Sequence, residues 1–232
     1  MKKTFKAFSL VEMLITIGIL SIVLLIATQT LNTVFRISAI TQFKTVTKNE
    51  VGFSLELIER LLANSNVVDV YLYDTVDART YNVETESIDT VPGANIPMIY
   101  GSRIESGITG NEIHIRPYGY GLWVCLGYFQ GVQNPEQGYL LKRTTTTLPS
   151  GHQSCFDTDE ILIDTHPLFV LNSDEVKVNE FSVSYIKSSN LNNVFYVNIT
   201  MEPVNWVPGG NDQIQRSVVR QAVITTQGLT WY

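Results

Sequence analysis

Residues 8–31 form an apolar run, FSLVEMLITIGILSIVLLIATQTL, whose single ionisable side chain is Glu12. As an α-helix the run is about 36 Å long, which exceeds the roughly 30 Å of a bilayer's hydrocarbon core and predicts a membrane span. A carboxylate near the centre of such a span costs about 2.5–3.5 kcal/mol, so acidic residues there usually have a partner or a task. Lys6 lies off the helical face of Glu12, and the next basic residue downstream is Arg36, so the helix supplies no nearby cation.

Two ordinary targeting segments account for part of this pattern. A cleavable signal peptide has an apolar core of roughly 7–15 residues followed by a small-residue cleavage site. Here the core is longer, and Ala27-Thr28-Gln29 matches such a site poorly. A plain signal anchor explains the length but gives Glu12 no reason. The signal anchor stays open as an alternative. In that case the exported domain would bind a ligand or have enzyme activity, and the protein would have no role in assembly.

The residues around Glu12 resemble the leader of type IV pilin-like proteins. The resemblance rests on Lys2, Lys3 and Lys6, then Ala7-Phe8-Ser9-Leu10-Val11-Glu12, then the apolar run. It implies that a prepilin peptidase cuts between Ala7 and Phe8 and that Phe8 becomes an N-methylated N-terminus. It also implies that Glu12 pairs with the N-terminal amine of a neighbouring subunit in a filament. The implied partners are other pilin or pseudopilin subunits, the prepilin peptidase, an inner-membrane assembly platform and, before assembly, the membrane.

Two departures from the family pattern bear on the kind of subunit. The residue before the cut is usually Gly and is Ala7 here, and major pilins commonly have a helix-bending Pro where this chain has Gln29. The downstream layout is similar to the minor pilin W and pseudopilin J type. Its features are a strand ending in Lys142-Arg143, an aromatic-rich strand at 181–186, and a closing pair at 193–202 and 215–226. The resemblance therefore favours a non-major subunit. Because the extreme tip subunit typically lacks this glutamate, Glu12 favours one that docks onto neighbours below it.

Charge and cysteine usage indicate an exported domain. Lys2, Lys3 and Lys6 precede the span, so the positive-inside rule places the rest of the chain outside the cytoplasm, as in a single-pass protein of the cytoplasmic membrane that later enters an extracellular or cell-envelope filament. Cys125 and Cys155 both lie in that part, where a disulfide can form and persist. Such a bond would stabilise the fold by about 3.5 kcal/mol in the chain-entropy model. Two buried, reduced cysteines are the alternative.

The net charge of −6 disfavours nucleic acid as a partner, because binding needs a basic surface that displaces counterions from phosphates. Lys142-Arg143 and the Arg216/Arg220 pair are the compact basic spots outside the leader. Solvated charges on strand surfaces explain both.

Periodicity predicts an α+β fold in which a long N-terminal helix packs on a largely antiparallel β-sheet domain. The apolar stripe continues at helical spacing through Ile40, Phe43, Val51, Leu55, Ile58 and Leu62, with Thr47 on the same face. Asn64-Ser65-Asn66 is the expected stop, and Gly52 is a weak point. The expected divisions are a leader at 1–7, a membrane and filament-core half at 8–31, an amphipathic half at 32–64, and an exported β-rich domain at 65–232.

Alternating segments after residue 66 predict strands. They lie at 68–73, 112–116, 122–126, 139–142, 160–163, 181–185, 194–199 and 218–225, and turn signals lie at 92–93, 149–151, 188–190 and 208–211.

The sequence offers little for catalysis, so no enzyme activity, cofactor or metal is expected. The three histidines, at 114, 152 and 166, show no H-E-x-x-H or paired C-x-x-C spacing. Oxygen atoms of Asp157, Asp159 and Glu160 could hold calcium, but EF-hand spacing is absent and a hydrated acidic loop is the preferred interpretation. Gly119-Tyr120-Gly121 predicts a turn between strands. Asn198-Ile199-Thr200 matches a glycosylation triplet inside an expected strand.

Overall fold

The structure is a computed structural model that describes residues 9–75, 79–91, 107, 109–146, 155–156, 168–187, 193–204 and 217–226. The strand expected at 160–163, the four turn signals and the acidic loop at 157–160 lie outside these residues. The chain divides into two compact units, Met1–Phe43 and Lys44–Tyr232. The functional boundaries at 7/8, 31/32 and 64/65 stay a prediction.

One α-helix, α1 (Leu10–Ala63, 54 residues), belongs partly to each unit. In the first unit all side chains from residue 9 to residue 38 are exposed, although most of them are apolar. The hydroxyl groups in this part donate to the backbone carbonyl four residues earlier, so they add little polarity to the helix surface. These bonds are made by Thr16, Ser21, Thr28, Thr30 and Thr33.

The second part of α1 buries one face in the β-rich domain. Its buried residues are Thr47, Val51, Ser54, Ile58 and Leu62, which follow the predicted stripe, with Ser54 in addition. On the solvent side, Arg60 pairs with Glu56 one turn earlier, as their spacing predicts. Beyond Ala63 the Asn64 side chain donates to the carbonyl of Arg60 at 2.7 Å, which satisfies a carbonyl group at the helix end.

The strands form two sheets rather than the single sheet expected from the sequence. They are β1 (Ser65–Tyr73), β2 (Arg79–Asn82), β3 (Ser87–Thr90), β4 (Thr109–Gly110), β5 (Glu112–Pro117), β6 (Trp123–Gly131), β7 (Gly138–Thr145), β8 (Phe169–Val170), β9 (Val176–Lys187), β10 (Asn193–Pro203) and β11 (Val218–Thr226). Among the residues that the structure describes, the large sheet has seven strands in the order β1-β5-β6-β2-β3, with β7 paired to β6 and β8 paired to β7. The small sheet has the order β11-β10-β9-β4.

Almost every pairing among the described strands is antiparallel, which confirms the predicted fold class. The exception is the short parallel contact of β2 with the end of β6, where Thr80 lies opposite Gln130. The turn between β5 and β6 holds Gly119 and Gly121 with φ of 74° and 68°. This left-handed backbone is one that glycine adopts without a steric penalty, so Gly119-Tyr120-Gly121 is a turn, as predicted.

The main core joins α1 to both sheets. Val51, Ile58 and Leu62 of α1 are fully buried in one cluster with apolar residues of β1, β5, β6, β7, β9, β10 and β11. These three contributions of α1 are seven and four residues apart, so one helical face covers strands of both sheets.

A second core lies on the other face of the large sheet. It comprises Tyr81, Ile88, Trp123, Cys125, Phe129, Tyr139, Leu141, Cys155 and Phe156. Because β6 is buried on both faces, its sequence is a nearly continuous apolar run and lacks the alternation of apolar and polar residues of a half-exposed strand. Gly127 makes this packing possible, since a Cβ there would lie 2.7 Å from the Phe129 ring and 3.0 Å from the Phe156 ring.

The buried stripe of α1 should supply a large share of the stability of the β-rich domain. Ile58→Ala should lower the free energy of unfolding by about 2–5 kcal/mol, because it removes a buried side chain and leaves a cavity. Phe53→Ala is the matched control, since Phe53 is on the same helix and 59% exposed, and it should change the value by no more than about 0.5 kcal/mol. Urea unfolding followed by circular dichroism measures both. Equal losses in the two variants would show that the helix is not part of the domain core.

Candidate functional site

The first candidate site is the N-terminal end of α1, where Glu12 lies in the first turn. The Ser9 backbone N–H donates to Glu12 Oε2 at 3.1 Å, and the Val11 N–H donates to Ser9 Oγ at 3.3 Å. This reciprocal arrangement is a capping box, in which the first polar residue and the acid three positions later satisfy two backbone donors at the helix start. Glu12 therefore has a local partner, which the sequence analysis missed. The S-x-x-E spacing of Ser9 and Glu12 was the available signal.

The helix behind Glu12 has an apolar surface that nothing in its own unit covers. Leu10 is 77% exposed, and the large apolar side chains from Val11 to Ile37 are also exposed. By length and composition α1 is the one helix among the described residues that could cross a membrane. A contiguous apolar surface of this size on a folded chain marks a site of membrane or protein interaction.

Ala7 and Phe8, the residues of the expected leader cleavage and methylation, lie outside the described residues. His152, His166 and Arg216 do as well, together with the possible calcium ligands Asp157, Asp159 and Glu160.

The second candidate site is a buried polar cluster on the second-core face of the large sheet. Glu112 and His114 of β5 are both 0% exposed, and Glu112 Oε1 lies 2.6 Å from His114 Nε2. Arg79 of β2 is 2% exposed, and its Nη1 lies 3.5 Å from Glu112 Oε2. Thr75 Oγ1 donates to the same carboxylate oxygen at 3.1 Å. A carboxylate and a guanidinium with this little exposure are retained only when they are paired and hydrogen-bonded.

The cluster is tied to the backbone as well. Asn111 Oδ1 accepts from the Thr75 N–H at 2.6 Å, and its Nδ2 donates to the Tyr128 carbonyl at 3.0 Å. Asn111 thus connects the segment after β1 to β6. Neither Glu112 nor Arg79 was singled out from the sequence, because an isolated charge in a strand predicts a solvent-facing position.

The disulfide lies next to this cluster. Cys125 and Cys155 are bonded, with their Cα atoms 6.3 Å apart, and both are 0% exposed. His114 faces Cys125 across the β5–β6 ladder, and its Nδ1 lies 3.6 Å from Cys155 Sγ. The bond joins the two cysteines that the sequence analysis paired, and the structure adds His114, which the sequence left apart from them.

Arg143 holds the second cysteine in place from the neighbouring strand. It lies opposite Cys125 in the β6–β7 ladder, and its Nη1 donates to the Cys155 carbonyl at 3.0 Å. Burial lowers the pKa of the Arg143 guanidinium from its ordinary value. Arg143 is thus half-buried and structural, so the interpretation of Lys142-Arg143 as two solvated surface charges is wrong for Arg143.

Comparison with known proteins bears on the first candidate site. A family model described as the prokaryotic N-terminal methylation motif matches residues 2–28. No curated protein and no solved structure matches the chain. The matched motif is the leader of type IV pilins and pseudopilins, so the chain carries that leader and the resemblance drawn from Ala7-Phe8 and Glu12 is confirmed. The motif and the exposed apolar helix fit a structural subunit that is anchored in a membrane and then enters a cell-surface filament.

The buried cluster predicts a large loss of stability when its charges are unbalanced. Glu112→Gln leaves Arg79 buried without the countercharge of Glu112, which should cost about 3–5 kcal/mol. At about 2–4 °C per kcal/mol, the thermal midpoint should fall by roughly 6–20 °C. Circular dichroism melting of the purified chain measures the shift.

Asp69→Asn is the matched control. Asp69 pairs with Arg116 on the same sheet, but the two side chains are 24% and 48% exposed. Removing one partner of a pair this exposed should cost no more than about 1 kcal/mol. If the thermal midpoint of Glu112→Gln equals that of Asp69→Asn, the buried pair does not stabilise the domain.

Proposed function

We propose that this protein is a minor type IV pilin or pseudopilin, a subunit that assembles through its N-terminal helix into a pilus or a secretion or DNA-uptake filament. The observation that carries the proposal is the methylation motif at residues 2–28, which places Glu12 at the start of an exposed apolar helix. In this account the exported β domain faces outward.

The proposed mechanism is a transfer of α1 from lipid to protein. The apolar side chains of residues 10–31 are covered by acyl chains before assembly and by helices of neighbouring subunits afterwards. Lipid is about as apolar as these side chains, so packing and polar contacts between helices have to favour the filament. The hydroxyl groups of Thr16 and Ser21 are already bonded within the helix, so they need no partner in either environment.

Glu12 supplies the polar contact that gives the packing direction and register. A carboxylate has about four lone-pair sites, and the capping bond to the Ser9 N–H uses one of them. Acceptor capacity therefore remains for the N-terminal amine of another subunit after residues 1–7 are removed. In the dry interior of a helix bundle such an ion pair fixes one relative position of two chains, because any other register leaves both charges without a partner.

Two features support a non-major subunit. At Gln29, where major pilins commonly have a Pro, α1 continues without a break. The exported domain also has long closing strands in β9, β10 and β11, in keeping with the expected layout of the minor pilin W and pseudopilin J type. Glu12 further favours a position with neighbours below it rather than at the extreme tip.

A second candidate function follows from the capping box. Because the Ser9–Glu12 contact gives the carboxylate a local task, a plain signal anchor with a separate surface activity also accounts for Glu12. The two functions differ in what Glu12 must provide. Capping needs a hydrogen-bond acceptor, which glutamine also offers, whereas pairing with an amine needs a negative charge.

Substitutions at the helix start separate the two functions. We expect Glu12→Gln to keep the capping box and to reduce co-purification with other filament subunits by at least about tenfold, as expected for loss of a buried charge partner. Glu12→Ala should behave similarly. Ser9→Ala is the matched control, because it removes the cap and keeps the charge, and it should assemble like the unsubstituted chain. Membrane extraction followed by immunoblotting checks that all variants insert into the membrane.

The anchor function predicts a different ranking. In that case Glu12→Gln would behave like the unsubstituted chain, and Ser9→Ala and Glu12→Ala would share a small defect in helix stability of about 0.5–2 kcal/mol. Full assembly of both Glu12 variants would contradict the pairing role.

A further inference from the structure

The sulfur atoms of the disulfide share their surroundings with a histidine that is set up as a ligand. A ring nitrogen of His114, Cys125 Sγ and Cys155 Sγ all lie within 4.8 Å of one another, and all three residues are buried. They come from β5, from β6 and from residues 155–156, so no short motif links them. Thiolate and imidazole together are a donor set that thiophilic ions such as Zn²⁺ prefer.

The orientation of His114 is fixed by a carboxylate. Glu112 lies beside Arg79, and as a carboxylate it can only accept, so His114 donates from Nε2. In this tautomer the lone pair is on Nδ1, the atom that faces Cys155 Sγ at 3.6 Å. Histidines that bind metal ions usually donate their other ring N–H to a carboxylate or carbonyl group, which fixes the ring and raises its basicity. Glu112 is the carboxylate that accepts this bond from His114.

The Nδ1 to Sγ distance suits a tetrahedral ion, whereas the two sulfurs are bonded to each other and have to separate on reduction. With Zn–S near 2.3 Å and Zn–N near 2.0 Å, two ligands at a tetrahedral angle lie about 3.5 Å apart for the S and N pair and about 3.8 Å apart for two sulfurs. The observed Nδ1 to Sγ distance is 3.6 Å. The Cα atoms of the cysteines, at 6.3 Å, lie toward the long end of the roughly 4.4–6.8 Å range of disulfides, which leaves room for two separated sulfurs after reduction.

The charges also balance. The charge of Arg79 compensates that of Glu112, and a divalent ion compensates two thiolates, so the occupied site adds no net charge to a buried place. Arg143 holds the Cys155 carbonyl and keeps that residue over the sheet without using either sulfur.

We propose that, after a thiol or a phosphine has reduced the Cys125–Cys155 bond, the chain binds one Zn²⁺ ion through Cys125, Cys155 and His114, with Glu112 as the positioning residue, and that the ion and the disulfide exclude each other. Binding converts two thiols and Zn²⁺ into a dithiolate complex and releases two protons, with no change of oxidation state. Three protein donors leave the fourth position for water. This inference rests on the exported domain alone and is independent of the assembly role of Glu12.

The test uses the full chain in detergent, either oxidised or reduced with a phosphine and kept free of oxygen. The probe is Zn²⁺, titrated against a chromophoric chelator, with Co²⁺ as a spectroscopic substitute. We expect the reduced chain to bind one Zn²⁺ and the Co²⁺ form to show a thiolate charge-transfer band. The oxidised chain should bind no ion at this site. Bound Zn²⁺ should also slow the oxidation of the thiols.

Variants test the assigned ligands. His114→Gln keeps a hydrogen-bonding group beside Glu112 but removes the imidazole ligand. It should weaken Zn²⁺ binding by at least about tenfold, since losing only the hydrogen-bond partner of a ligand typically lowers metal affinity 10–100-fold. His166→Gln is the control and should bind like the unsubstituted chain. If reduction unfolds the domain, Zn²⁺ should restore the far-ultraviolet circular dichroism of the unsubstituted chain and not that of His114→Gln.

Three results would each overturn the proposal. One is a reduced chain that neither binds Zn²⁺ nor refolds with it. Another is equal binding by the oxidised and reduced chains. The third is equal affinity in His114→Gln and the unsubstituted chain.

Discussion

The organisation of this protein depends on how the apolar surface of one helix is covered. In the β-rich domain Val51, Ile58 and Leu62 are covered by strands of both sheets, and each is 0% exposed. From Leu10 to Ile37 the apolar side chains of the same helix are exposed. Since the exposure of an apolar surface of this size to water is unfavourable, the first part of α1 has to be covered by lipid or by other helices. That requirement, together with the methylation motif, connects the fold to assembly in a filament.

The β-rich domain buries charge on the second face of the large sheet. Glu112, Arg79 and His114 are enclosed there beside the Cys125–Cys155 bond. Removing one partner would leave a buried charge uncompensated, which costs more than the pair itself contributes. Two cross-links, one covalent and one ionic, therefore hold the edge of the domain where β2, β5, β6 and residues 155–156 meet. The same enclosure creates the donor set from which we infer a zinc site.

Much of the fold could be predicted from periodicity, and the failures have physical causes. The helix end at Asn64 and the strands containing Val70, Ile115 and Val197 follow from side-chain spacing and turn residues. The strands β2, β3, β4 and β8 were missed because two to four residues are too few to show alternation. The second core was missed because its members, such as Tyr81, come from separate segments. The role of Glu112 depends on long-range pairing, which no local pattern contains, and the capping role of Glu12 was visible in the sequence but overlooked.

The proposed conversion of α1 into an assembly element on removal of the leader can be tested through the mass of the mature chain. The chain should be extracted from the membranes of cells that contain a prepilin peptidase and analysed intact and after N-terminal fragmentation. In cells with the peptidase we expect a chain that lacks residues 1–7 and starts at Phe8 with one added methyl group. In cells without the peptidase we expect an unprocessed chain. A chain that retains Met1 in peptidase-containing cells, or one cut near Ala27, would contradict the proposed conversion and leave the signal anchor as the explanation.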